Sequence, residues 1–195
     1  LAGRSAVTAE HLQDEDFVAF DRDLMIRKEV DRYLRQRSVS IRVVMEFDNI
    51  ETIKQAVEIG AGISILPEAT AACDAGEVHA MHDPTEGGVA TGLWELGEAA
   101  GCGMLVWEDR IPIVEPGGSF CRHFGLDPLG TISSGSLLIC APPADAAAIA
   151  AAIKALGITC VDIGEVRPRD EGAVLMRDGG KAPLPTFPQD EITRI

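Results

Sequence analysis

Three short apolar stretches at helix-length intervals constrain the first third of this chain more than any other feature. Asp16-Phe17-Val18-Ala19-Phe20, Ile41-Arg42-Val43-Val44-Met45-Glu46-Phe47 and Ile63-Ser64-Ile65-Leu66 have strand length and strand composition. Between the first two, Ile26, Val30, Tyr33 and Leu34 recur at helical spacing over residues 24–36, with arginines on the other face. Asp48 and Asn49 are N-cap residues for a second helix over 50–59, closed by Gly60-Ala61-Gly62, and Pro67 ends the third strand. Thr8 caps a short helix through Leu12. Strand and helix alternate with short links, which predicts an α/β start: a small parallel βαβαβ unit with right-handed crossovers.

Residues 69–79 are small and polar, with Gly76 as a breaker, and predict a domain boundary near 75–80, dividing the chain into 1–77 and 78–195. Beyond it, His82-Asp83-Pro84-Thr85-Glu86-Gly87-Gly88 runs straight into an apolar helix over 89–100. Two readings fit this heptad. A helix mouth with its positive dipole end favours phosphate or another anion, and Asp-Pro-Thr is also ordinary turn and cap chemistry, with Thr85 or Asp83 as the cap. Strands over 104–107, 136–140 and 158–166, a helix over 117–124, an Ala-rich helix over 145–156 and a hairpin about Asp178-Gly179-Gly180 follow. They predict an α+β domain with helices on one face of a mixed sheet, and Trp94 and Trp107 in its core.

Charge and cysteine usage narrow the function classes. A net charge of −14, from 17 basic and 31 acidic residues, leaves no basic stripe to neutralise a phosphate backbone, so direct nucleic-acid binding is not expected. No apolar run approaches about 18 residues, so no membrane span is expected. Leu1-Ala2-Gly3-Arg4 is neither a signal peptide nor an initiator-Met start, and reads as the opening of a fragment. Five cysteines spaced about twenty apart, with no Cys-x-x-Cys, suit a reducing cytoplasm and predict neither a disulfide framework nor a zinc site. Asp83 and Glu86, three apart, can share a face and a cation, but no dedicated metal site is expected. No Gly-x-Gly-x-x-Gly or nucleophile elbow is present, and an acyl-transfer triad is remote.

Residues 81–195 resemble the C-terminal domain of the AIR synthase (PurM-like) superfamily, which includes HypE-like hydrogenase maturation proteins. The likeness rests on Met81-His82-Asp83-Pro84-Thr85-Glu86-Gly87-Gly88-Val89-Ala90-Thr91-Gly92-Leu93, Gly125-Leu126-Asp127-Pro128-Leu129 and Ser133-Ser134-Gly135-Ser136-Leu137-Leu138, in that order. The resemblance implies that an N-terminal domain, which this chain has no counterpart of, supplies the phosphate loop and magnesium ligands, and that dimerisation builds the nucleotide cleft. It also implies that Asp83, Thr85, Glu86, Gly87, Gly88, Ser133, Ser134 and Gly135 face that cleft. ATP and Mg2+ are then expected only with a complementary domain.

Residues 1–77 resemble the second effector-binding subdomain of LysR-type transcriptional regulators, on Phe17-Val18-Ala19-Phe20-Asp21, Glu46-Phe47-Asp48-Asn49-Ile50 and residues 57–68. That resemblance implies a small anionic effector near Phe20, Asp21, Asp48 and Asn49, although the DNA-reading domain and the partner subdomain are absent. The chain therefore reads as a fusion. Three functions follow: the C-terminal module of an ATP-dependent enzyme, catalytically incomplete alone; a metabolite sensor; or an inactive scaffold that self-associates, most simply as a homodimer, through exposed apolar surface.

Overall fold

In a strand that alternates its side chains between two faces, four consecutive buried residues mean that both faces are covered. Strand β1 (Asp16–Phe20) shows this pattern, with Phe17, Val18, Ala19 and Phe20 all buried. The computed structural model describes residues 7–195, apart from the side chain of Glu51; the opening Leu1-Ala2-Gly3-Arg4 lies outside the described residues. The chain divides into two compact units, Leu1–Asp74 and Ala75–Ile195.

In the first unit, helix α1 (Met25–Gln36) presents Val30 and Leu34 to the face of β1 that carries Phe17 and Ala19. Strand β2 (Arg42–Phe47) pairs with β1 in parallel, with a register shift between Phe17 and Val18. Helix α2 (Ile50–Glu58) sets Ile53 and Ala56 against Val18 and Phe20 on the opposite face. The third strand expected over 63–66 is reduced to a single parallel bridge, in which Val18 N–H donates to Ile63 O and Ile63 N–H to Asp16 O, both at 2.8 Å. Pro67 explains the shortening: it opens helix α3 (Pro67–Ala75), where its missing N–H costs nothing, so the chain turns helical before a ladder can extend. Gly62 allows the close approach, because a Cβ there would lie 2.6 Å from Asp16 O. Phe20 also differs from expectation. It is 4% exposed and packs against α2 as a core residue.

The second unit begins with strand β3 (Ala80–His82), which the sequence pattern does not reveal. Helix α4 (Gly88–Ala100), strand β4 (Gly103–Trp107), helix α5 (Gly117–Phe124), strand β5 (Leu138–Cys140) and helix α6 (Pro143–Ala155) follow. Strands β6 (Gly164–Arg167), β7 (Ala173–Arg177) and β8 (Gly180–Pro183) complete it. β3 pairs antiparallel with β5, and a mixed four-stranded sheet runs β6-β4-β7-β8, with β4 and β7 parallel. Two strands start later than expected, β5 at 138 and β6 at 164, because their partners β3 and β4 are only 3 and 5 residues long.

The core of this unit is the apolar face of α4, Ala90, Leu93 and Leu96, against Met104, Val106, Leu175, Leu129 and Leu138. Trp94 packs on this core and donates Nε1–H to Leu184 O and Pro185 O. Trp107 departs from the core placement expected of it: it is half-buried, with the Arg110 guanidinium 4.1 Å above its ring.

Before α5, the Glu115 carboxylate accepts Ser119 N–H at 3.0 Å and pairs with Arg122 at 2.6 Å. The Arg122 hydrogen bond foremost, with Ser119 behind it, holds its pKa down at about 2 against the usual 4.5. A depressed folded value means that the contact stabilises above the unfolded pKa and is lost as pH falls through the folded one, here from about 4.5 to about 2. The pair is solvated, so its effect on thermal stability is small. In an NMR titration the Glu115 carboxyl should inflect near 2 and move up toward the ordinary carboxylate range in Arg122→Gln, with the Ser119 hydrogen bonds still holding it partly down. An ordinary inflection in the parent chain would contradict this geometry.

Candidate functional site

Strand β3 ends at His82 and delivers the heptad to the mouth of α4. Pro84 is fully buried, Thr85 and Asp83 are half-buried, and Glu86 is exposed. Gly88 N–H donates to Thr85 O at 3.1 Å, which closes a tight turn in which Gly87 (φ +75) and Gly88 (φ +67) are both left-handed. Gly87 occupies the N-cap position, which neither Thr85 nor Asp83 takes. Its N–H is buried and donates at 2.8 Å to Oδ2 of Asp190, 103 residues further on. The acceptor at this helix mouth is thus a carboxylate of the chain itself.

The second motif packs beneath the first. Gly125 ends α5 in the left-handed region, and Asp127 caps the short turn Pro128–Gly130 by accepting Leu129 N–H at 2.9 Å. Asp127 O accepts Thr131 Oγ1–H at 2.9 Å, and Oδ2 accepts from Arg177 at 3.2 Å. Arg177 also donates to Glu108 at 2.6 Å; that bond first, and the one to Asp127 after desolvation, keep the guanidinium firmly charged.

From Thr131 the chain turns back to the heptad. Ser133 N–H donates to Thr85 O at 3.2 Å, and Ser133 Oγ–H donates to Pro84 O at 3.1 Å. Ser134 and Gly135 are exposed on the turn that Ser136 N–H closes onto Ser133 O. The structure thus brings together Thr85, Glu86, Gly87, Gly88 and the 133–135 loop, about fifty residues apart in sequence. Sequence reasoning missed Asp190 and Glu191, both buried acids, whose only sequence signal is an acidic pair after a proline-rich segment. It also missed Glu95, which accepts from His82 Nε2 at 2.6 Å beside the heptad.

Among the described residues no three His, Cys, Asp or Glu side chains converge as metal ligands. A depression of about 650 Å³ lined by Trp107, Glu108, Met176 and Arg177 includes none of the heptad or the 133–135 loop. Within the chain, the Gly87 N–H is already committed to Asp190.

In the first unit Asp21, Asp48 and Asn49 are exposed at the C-terminal ends of β1 and β2. Asn49 Oδ1 accepts both Thr52 N–H and Thr52 Oγ1–H at 2.8 Å, and its amide donates to Asp48 Oδ1 at 3.0 Å. The cap chemistry expected of the pair is therefore present. Arg27, buried and unanticipated, ties the same edge together by donating to Phe20 O at 2.7 Å and Glu46 at 3.0 Å.

Against known families, the model of the AIR synthase related protein, C-terminal domain, matches residues 44–177. The chain belongs to this AIR synthase-related family. Carbamoyl dehydratase HypE of Rhodobacter capsulatus is 33% identical to the AIR synthase-related chain over 122 residues, 60% of this chain and 36% of that protein. The match thus spans about a third of the relative's length. A crystal structure of hydrogenase maturation protein HypE in complex with ATP superposes with a TM-score of 0.60 at 17% identity, covering 93% of this chain and 76% of the other; that likeness is one of fold. The RuBisCO operon transcriptional regulator of Allochromatium vinosum is 33% identical over 66 residues, 34% of this chain and 22% of that regulator. No helix among the described residues is long and apolar enough to cross a membrane.

Proposed function

We propose that the second unit serves as the C-terminal module of an ATP-dependent, HypE-like protein, and that its loops 83–88 and 133–135 form one wall of a nucleotide or substrate cleft completed by another domain. The observation that carries this reading is the joining of the two loops by Ser133, through its N–H to Thr85 O and its hydroxyl to Pro84 O. Both motifs that resemble the family's cleft-facing loops thereby share one surface, with Glu86, Ser134 and Gly135 exposed on it. The fold likeness to a HypE crystallised with ATP supports the same reading. Because the chain's own carboxylate holds the helix mouth, ATP affinity depends on the complementary domain, and catalysis by the chain alone is not expected.

The test is a thermal-denaturation series with ATP and Mg2+, with and without the N-terminal part of a HypE relative added in trans. A ligand bound only by the folded state raises the melting temperature. The reading expects stabilisation by ATP and Mg2+ only when both protein parts are present, and its loss in Glu86→Ala and in Asp83→Ala. Stabilisation of the chain alone, or none in the mixture, would overturn it.

A second reading concerns the first unit, as a small-metabolite sensor of LysR type. It is supported by the exposed Asp21, Asp48 and Asn49 at strand ends, where open α/β sheets bind ligands, and the chain as a whole has a 66-residue similarity to a transcriptional regulator. A panel of carboxylate and phosphate metabolites should then yield one that stabilises the unit, with the effect lost in Asn49→Ala and kept in Asp83→Ala. A panel with no stabilising member contradicts the sensor.

A further inference from the structure

The segment after β8 runs back across the second unit and ends in two consecutive acids that are almost fully buried, Asp190 at 8% and Glu191 at 7% exposure. Buried carboxylates are costly unless hydrogen-bonded, so their partners indicate what they do. Asp190 divides its two oxygens: Oδ2 accepts Gly87 N–H at 2.8 Å, and Oδ1 accepts Ile192 N–H at 3.0 Å. Glu191 Oε2 accepts Asp127 N–H at 3.0 Å and pairs with Arg194. Neighbouring acids thus reach two different loops, the heptad and the 125–131 segment.

The approach of this segment is fixed at several earlier points. Leu184 is 2% exposed and donates its N–H to Ala173 O at 2.9 Å. The indole of Trp94 donates to Leu184 O and Pro185 O, and the Phe187 ring lies where a side chain on Gly130 would be. Each of these contacts shortens the free length of chain before the acids, so little slack remains when Asp190 reaches Gly87.

We propose that Asp190 and Glu191 are positioning residues: a two-carboxylate clamp in which the first acid fixes the turn at Gly87-Gly88 and the second fixes the Asp127 turn beneath it. The two turns meet where Gly88 lies against Leu129 O and Thr131 O, so clamping both sets the placement of Thr85, Glu86 and Ser133 on the proposed cleft wall. A charged acceptor suits Gly87, since it lies at the positive end of α4. The functional part of this inference rests on the reading of loops 83–88 and 133–135 as a cleft wall; the clamp itself does not.

Amide hydrogen exchange by NMR on the full chain tests the clamp without any ligand. Asp190→Ala should raise exchange at Gly87 and Ile192 by about tenfold or more and spare Asp127. Glu191→Ala should do the reverse, raising Asp127 and sparing Gly87. Glu191→Gln keeps an acceptor oxygen and should hold Asp127 within about twofold of the parent. Asp190→Asn offers one acceptor oxygen to two N–H donors, so it should free one of Gly87 and Ile192 and protect the other. The amides of Val106 and Leu175 report whether each variant is folded.

Unchanged exchange at Gly87 and Asp127 in the alanine variants, or a rise spread evenly over α4, β4 and β7, would overturn the clamp. The nucleotide-mixture experiment in Asp190→Ala supplies the other arm, where loss of ATP stabilisation is expected. Site-selective exchange with no ATP effect in any variant supports the clamp and removes only the cleft reading of the loops.

Discussion

Replacing Gly88 by alanine is expected to destabilise the second unit by about 3 kcal/mol or more, a fall in melting temperature of roughly 10 °C. Two costs combine. Gly88 has φ +67, a conformation that costs a residue with a Cβ about 1–2 kcal/mol. The added Cβ would also meet Leu129 O and, at 2.6 Å, Thr131 O. Both are backbone atoms in the turn that Asp127 and Glu191 hold, so they cannot rotate away as a side-chain tip would. Gly125→Ala separates the two costs. It shares the left-handed geometry, at φ +66, but has nothing within 4 Å of its Cβ position, so only the backbone cost of about 1–2 kcal/mol is expected. Urea denaturation followed by tryptophan fluorescence measures both, because Trp94 and Trp107 lie in this unit. Equal losses in the two variants would show that the Gly88 contact with the 129–131 turn is not tight.

Phe17→Ala should remove about 3–5 kcal/mol from the first unit. Phe17 is 1% exposed and stands at the centre of the cluster formed with Val30, Leu34 and Ile65. A unit of this size seldom has more than about 3–5 kcal/mol in hand from a single core, so the variant is expected to leave Leu1–Asp74 largely unfolded at room temperature. The aromatic residues make the result readable. Tyr33, the single tyrosine of the chain, is in the first unit, while both tryptophans are in the second. Near-ultraviolet circular dichroism should lose the contribution that Tyr33 makes in the parent chain, while the tryptophan transition in urea keeps its midpoint. Val44→Ala, at a residue 41% exposed on the same sheet, should stay within about 0.5 kcal/mol of the parent. A Phe17→Ala chain with full tyrosine signal would mean that the core of this unit does not depend on β1.

The two substitutions also mark how far local sequence reaches. Phe17 was legible as a strand residue: a short apolar run of strand length, followed by a helix with Val30 and Leu34 one turn apart, predicts a parallel β-α start. Asn49 was legible for the same reason, since an N-cap bonds three residues away and the partner, Thr52, is fixed by helix geometry. The third parallel strand was not, because Pro67 permits either a strand end or a helix start and only packing chose the helix. Phe20 shows the same limit, since its place beside two exposed polar positions does not reveal that α2 covers it.

In the candidate site, the sequence by itself determined that a turn and a pair of glycines lead straight into an apolar helix. These are demands of backbone geometry within a few residues, and the residue types carry them. Tertiary structure alone decided that Ser133 joins the two loops and that the anion at the mouth of α4 is the Asp190 carboxylate. A buried N–H accepts whichever acceptor the fold brings within about 3 Å, and a partner 103 residues away leaves no periodic trace in the chain between.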